Sequence, residues 1–416
     1  MNDKVVLVLS GSGANDAIRG MMAEFGSALS SLGLPVVHLE LEPAELQYAV
    51  DQMVRGEVRF CLTWLGFGQE ISVSEGPERL QVNVWDALRV PLVKIHADHP
   101  AYFSDRHRDL PRNGVNLYMA EEFVHFRHRW LPNARSLAAL LPPWPMAPLE
   151  RTQVDLAKRR SGALVFLKNG NSPADLRRLW NERLSPILAA LVMAMADEVV
   201  AVGLRPGKLH IGDFVAAFVA ARGIEAESAL PLMPFFTAQL DDYLRRIKSE
   251  MIANALLDFP VVVQGSYWSH VDFKGRRARL APGEDFGASR RIFTDELGII
   301  DMSPNIDTEP HDRVQRAAGS YSLVLTNAQS WITDKFPDFR DLTFEFEPDS
   351  IKARIADVLA RPDRYLELGV AFGERFRHIH PVEGFARRVV ELAELATLQY
   401  AAERPLLQPF FVWPAS

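Results

Sequence analysis

Apolar positions along this chain recur in two rhythms. Short continuous apolar runs such as "KVVLVL", "PVVHLEL", "VRFCLTWLG", "PLVKIHAD" and "GVNLYMA" end in glycine or polar residues, as strands buried on both faces of a parallel sheet do. Between the runs the period changes. Ile18, Met21, Met22, Phe25 and Leu29 recur at three- and four-residue steps, which predicts a helix stopped at Gly33. "PAELQYAVDQMVRG" predicts a second helix closed by glycine, and "EEFVHFRHRWLP" a later one. This alternation over residues 1–140 predicts a mostly parallel sheet with helices on both faces.

"LLPPWPMAPLE" then interrupts the pattern with closely spaced prolines, which cannot continue a helix and predict an extended linker over 141–150. Beyond it the opening logic returns: "SGALVFLKNGNSPADLRRLW" reads as strand, polar loop and a helix started by Ser172 and Pro173. A long helical region over 174–258 follows. Strand signals come back in "FPVVVQGSYW", "ARLA", "LGIIDMSPN" and "SLVLTN", with the helix "HDRVQRAAG" among them. Two further long helical stretches close the chain. The expected fold is α/β, with two tandem Rossmann-like domains, an interdomain cleft and extra helices in the second domain. The expected boundaries are 1–140 and 151–396, with a tail over 397–416 packing across both. In open α/β sheets ligands bind outside the carboxyl ends of the strands, so the loops there are the ones to examine.

Composition narrows the chemistry. The 416 residues are 48% hydrophobic and 24% charged with a net charge of −7, ordinary for a protein with a full core and unlike a general nucleic-acid or anionic-membrane binder. The single cysteine, Cys61, excludes an intrachain disulfide and a cysteine-based metal site, and no D-x-D triplet occurs. The amino terminus does not read as a signal peptide. The longest apolar stretch, Pro186 to Gly203, is interrupted by Asp197 and Glu198 and reads as a buried helix rather than a membrane span. A cytoplasmic location is expected, with peripheral docking at the inner membrane face compatible with it.

Several loops carry candidate chemistry. "SGSGAND" offers Gly11, Gly13 and backbone N–H groups at a helix start, together with Asp16, but its third glycine position is Asp16, so it matches no dinucleotide fingerprint. "KIHADHPAYF" ends a strand with His96, Asp98 and His99; Asp98 or His99 could act as a general base, or simply brace the loop. "LKNGNSP" places Lys168 and Asn169 where a phosphate could be received. "MSPNIDTEPHDRVQRAAGSYSLVLTN" is richest: Asn305, then His311, Arg313 and Arg316 at a helix start, then Asn327 at a strand end. Cations at a helix start oppose the macrodipole, which makes sense if a diphosphate sits there. The plainer reading pairs them with Asp307, Glu309 and Asp312. Arg245, Arg246 and Lys248 in "YLRRIKSEM" read as a solvated basic face, and "FSDRHRD" as a solvated loop.

Taken together, "FPVVVQGSYW", "DMSPNIDTEPHDRVQRAAGSYSLVLTN" and the closing "HIHPVEGFARRVV" resemble the C-terminal half of bacterial GT-B glycosyltransferases. The nearest likeness is to the group with spore-maturation-type glycosyltransferase-like domains. The early "GSGANDAIRGMMAEFGSALSSLG" and the "DHP" step resemble its N-terminal half. The resemblance implies transfer of a sugar from a nucleotide-diphosphate sugar to a hydroxyl of a polysaccharide, lipid-linked glycan or protein. That sugar nucleotide is a co-substrate, and no separate cofactor or metal is implied. Gly265, Asn305, His311, Arg313, Arg316 and Asn327 would hold the donor, and Asp98, His99 or Asp16 would supply the base. Retaining members carry paired glutamates where this chain has Gln315 and no second acid near Asn327, so inversion is expected. A catalytically silent binding module and a sugar-nucleotide epimerase are the alternatives.

Overall fold

A computed structural model describes residues 4–11, 16–75, 80–107, 111–131 and 136–403. The chain divides into two units. The first comprises residues 1–119, 127–142 and 382–416, and the second 120–126 and 143–381.

The first unit is built on six parallel strands: β1 (Val5–Ser10), β2 (Val36–Glu40), β3 (Val58–Trp64), β6 (Leu92–His96), β7 (Gly114–Tyr118) and β8 (Leu137–Leu140). A separate antiparallel pair, β4 (Ser72–Glu75) and β5 (Leu80–Asn83), had no clear signal in the sequence. The sheet order is β2-β1-β3-β6-β7-β8. Central strands such as β1, β6 and β7 are buried throughout or nearly so, whereas edge strand β2 is only half-buried, as its mixed sequence "VVHLE" requires.

The second unit repeats the plan with β9 (Leu164–Leu167), β10 (Val262–Gln264), β11 (Arg279–Ala281), β12 (Gly298–Ile300), β13 (Leu323–Asn327) and β14 (Thr343–Phe344), all parallel. Their order is β11-β10-β9-β12-β13-β14, so the winding direction reverses between β9 and β12. The strands are short but fully dry at the centre, with Leu164, Phe166, Ile299, Ile300, Leu323 and Leu325 at zero exposure. A crevice at such a reversal is where α/β sheets receive ligands.

Two boundaries differ from the expectation. The proline-rich segment is not a free linker: Trp144 and Met146 are buried, and Trp144 N–H donates to Gln315 Oε1 at 3.0 Å, because its aromatic and apolar residues find partners in the second unit. The helix Val382–Glu403 belongs to the first unit, where Phe385 packs 5.8 Å from the ring of Phe25 and Tyr400 Oη donates to the Asp86 carbonyl. Residues 404–416 of the expected tail lie outside the described residues. The helix Pro186–Gly203 is long and apolar enough to cross a membrane by length and composition, but only a third of it is buried, with Ile187 81% and Val202 43% exposed. One face packs on the helix Met233–Leu256, where Gly203 abuts Leu244; the other is uncovered.

Candidate functional site

In the second unit, the loop after β9 forms a rigid platform. Gly170 lies so close to the Trp268 ring that a Cβ there would overlap it, and Trp268 Nε1 donates to the Lys168 carbonyl at 2.8 Å. Gly265, with φ of +152°, lets the loop after β10 pass against the same carbonyl, where any side chain would collide. Asn169 Oδ1 accepts from Ser266 N–H at 2.9 Å. Asn169 and Gly265 therefore tie two loops together, and the Lys168 side chain, half-buried, stands over the reversal point.

The loop after β12 supplies a group that the sequence reading passed over. Asp301, wholly buried, accepts from His311 Nδ1 at 2.9 Å and from Arg313 at 3.0 Å. Burial alone would raise its carboxyl, but the His311 and Arg313 charges outweigh it and hold it below the usual carboxylate range. His311, the N-cap of the helix Asp312–Gly319, has its other nitrogen 2.9 Å from Asp312. Burial disfavours its charged form, yet Asp312 and Asp301 together raise it above the ordinary histidine value. Both ring nitrogens thus face carboxylates, which makes His311 a strut between them. Arg316 is 5% exposed, stacks 4.4 Å over Phe286 and sits 3.9 Å from Asp312, one helical turn earlier.

Arg313 remains at the reversal point. Its charge, with that of Arg245, acts on Lys168: burial first, then these two cations, bring the Lys168 ammonium down to about 8 against the pull of Asp301 and Asp241. Arg245 pairs with Asp241 at 2.7 Å on the helix Met233–Leu256. One turn on, Lys248 is buried, and its Nζ donates to Asn305 Oδ1 at 2.8 Å. Burial, then Arg245, lowers this ammonium also to about 8 against Asp241 and Asp307. Arg245 and Lys248 therefore face inward, not to solvent as their sequence context suggested; only the tertiary fold places this face against the loop after β12. Asn305, at φ +52°, donates through Nδ2 to both the carbonyl and carboxylate of Asp241. Asn327 Oδ1 accepts from Ser303 N–H at 2.9 Å.

Beside this cluster lies a small cavity of about 30 Å³ lined by Lys248, Asn305, Asn327, Glu345, Phe346 and the 203–209 loop. It lies outside the carboxyl ends of β12, β13 and β14. Lys168, Asn305, Arg313 and Asn327 thus converge on one region of the second unit. Gln315, at the position where retaining enzymes of the resembled family carry a glutamate, is buried and structural: it accepts from Trp144 N–H and donates to the Pro310 carbonyl at 3.0 Å each.

The first-unit candidates take separate local positions. Gly11 is buried against the Phe67 ring, while Asp16 is exposed at a helix start, 3.9 Å from Arg19; Gly13 lies outside the described residues. Asp98 is half-buried just after β6. His99 is 5% exposed, and its Nδ1 accepts from Ala101 N–H at 3.1 Å, bracing the turn Pro100–His107. His96 is buried, bonded to Asn116 at 2.8 Å, and driven by burial and then by the Lys94 charge down to about 3. His107, within the supposed solvated loop, is 2% exposed and bonded to Tyr118 Oη at 2.7 Å. Lys94 shares this polar layer; burial, then Arg127, brings it down to about 7 against Asp86 and Glu70.

No protein-family model matches the chain, and no curated protein does. Solved structures do. The chain is similar to an α-glucosyltransferase determined with UDP and a 13-mer DNA containing a HMU base (TM-score 0.52, 7% identity, 94% of this chain and all of that one). It is also similar to a sucrose-phosphate synthase from Thermosynechococcus elongatus (0.49, 9%, 96% and 100%) and to a glycosyltransferase from Rickettsia africae ESF-5 (0.44, 10%, 95% and 99%). The comparisons do not single out a spore-maturation-type group. At these identities the likeness speaks for architecture alone: two parallel sheets flanked by helices, the α/β fold of GT-B glycosyltransferases.

Proposed function

We propose that the protein is a glycosyltransferase that uses a nucleotide-diphosphate sugar. The observation that carries this reading is the cationic cluster of Lys168, Arg245 and Arg313 at the reversal point of the second sheet, where both arginine charges act on Lys168. A diphosphate needs fixed positive charge to bind and more to leave, and preorganised cations supply both. In the transfer step an acceptor hydroxyl oxygen bonds to the sugar's anomeric carbon as that carbon's bond to the diphosphate oxygen breaks. The electron pair departs with the nucleoside diphosphate, whose growing charge Lys168 and Arg313 offset. The hydroxyl proton passes to a base, which this reading assigns to Asp98 or His99, with Asp16 as the third candidate.

Inversion fits the amide at Gln315, which is bonded on both sides and carries no charge. The same observation favours a second reading, a silent module that binds a sugar nucleotide without turning it over. Incubating the full chain with UDP-, GDP-, dTDP- and CMP-sugars, with and without glycan acceptors, separates them. Acceptor-dependent release of nucleoside diphosphate supports transfer. Binding without release supports the silent module, and neither binding nor release removes both.

A further inference from the structure

The helix Met233–Leu256 serves two surfaces. One face turns Asp241, Arg245 and Lys248 toward the loop after β12. On another, Ile247, Glu250, Met251 and Asn254 follow at three- and four-residue steps and share one stripe. Together with Pro348 and Lys352 of the helix Pro348–Ala360 they line an open groove of about 340 Å³, separate from the small cavity at Lys248. Room of this order suits a small molecule, and Ile247, Met251 and Pro348 give it an apolar floor that is not fully buried. The polar lining points to the kind of molecule. Glu250 and Lys352 bring opposite charges into one groove, yet Glu250 lies 3.8 Å from His270 Nε2 instead of pairing with Lys352. Half-buried Lys352 has no ion pair, and the Asn254 side chain no hydrogen bond, among the described residues. An ammonium offers donors only and a carboxylate acceptors only, so a ligand that satisfies both carries an anionic and a cationic end.

We infer that this groove binds a free α-amino acid with an apolar side chain. The ligand's carboxylate meets Lys352 and the Asn254 amide, its ammonium meets Glu250, and its side chain lies on Ile247, Met251 and Pro348. Binding here is independent of any sugar nucleotide at the cation cluster, because the two sites use different faces of the helix.

Equilibrium dialysis of the full chain against L-valine, L-leucine, L-methionine and L-phenylalanine tests this. The tightest of them is then compared with its amide, which lacks the carboxylate, and with its N-acetyl form, which lacks the ammonium. The wild type binds at least one amino acid saturably and each analogue about tenfold or more weaker, the loss of one charge-assisted contact. Lys352→Met brings the amino acid and its amide within about threefold of each other, and Glu250→Gln does the same for the amino acid and its N-acetyl form. Urea unfolding confirms that each variant folds, and the analogue series on the wild type decides the matter should either fail to. No saturable binding of any of the four amino acids overturns the inference. So does a wild type that binds the amino acid and both analogues alike, or an unchanged preference in both folded variants.

Discussion

Replacing Lys94 with methionine tests the polar layer of the first unit through its pH dependence. Lys94 is 1% exposed, and its ammonium donates to Gln69 Oε1 at 3.2 Å and to the Arg106 carbonyl at 3.4 Å. Burial first, and then the Arg127 charge, lowers it from 10.5 to about 7. The folded-state value lies below the unfolded one. Below pH 7 both states hold the proton and the folded chain carries the full cost of a buried charge. Between pH 7 and 10.5 the unfolded chain binds more protons than the folded one, so stability rises with pH. The slope is about 1.4 kcal/mol per pH unit, and the whole interval corresponds to at most about 5 kcal/mol. Urea unfolding of the wild type and Lys94→Met at pH 6, 7, 8 and 9 measures it, and the other titrating groups cancel in the difference. The advantage of the methionine variant shrinks by about 2–3 kcal/mol between pH 7 and 9. Parallel pH curves for the two proteins would refute the reasoning, because they would mean that Lys94 titrates alike in both states.

Other substitutions test the second unit. Asp301→Asn leaves His311 and Arg313 facing a neutral amide, and loss of one side of a buried pair costs about 3–5 kcal/mol; an unchanged urea midpoint would contradict this. Gly265→Ala forces a Cβ onto the Lys168 carbonyl at a φ of +152° and destabilises the chain by about 2 kcal/mol or more, read as a fall in the thermal midpoint.

Much of this architecture was legible because apolar continuity and helical spacing are local signals. "VVLVLS" becomes β1, "LVLTN" becomes β13, and "DRVQRAAG" becomes the helix Asp312–Gly319. The short strands "SVSE", "LAAL" and "TF" carried too few residues for a period to show. Of the residues proposed for the site, those legible in the sequence stand after a strand or open a helix: Lys168, Asn305, Arg313 and Asn327. Lys248, Arg245 and Asp241 were hidden, since a charged triplet on a long helix looks alike whether it faces water or a loop sixty residues away. Asp301 was hidden for a related reason: nothing near it in sequence shows that a strand-end acid will take both His311 and Arg313. The return of Val382–Glu403 to the first unit is likewise a packing outcome, carried by Phe385 and Tyr400 rather than by any break in the helix pattern.

The central claim is that the second unit binds a nucleoside diphosphate through Lys168 and Arg313. Calorimetric titration of the wild type, Lys168→Met and Arg313→Ala with UDP, GDP, dTDP and CDP addresses it directly. The account predicts saturable binding of at least one of these by the wild type, weakened about tenfold or more in each variant, as expected for loss of a charge-assisted hydrogen bond. No binding by the wild type, or affinity unchanged in both variants, would contradict it.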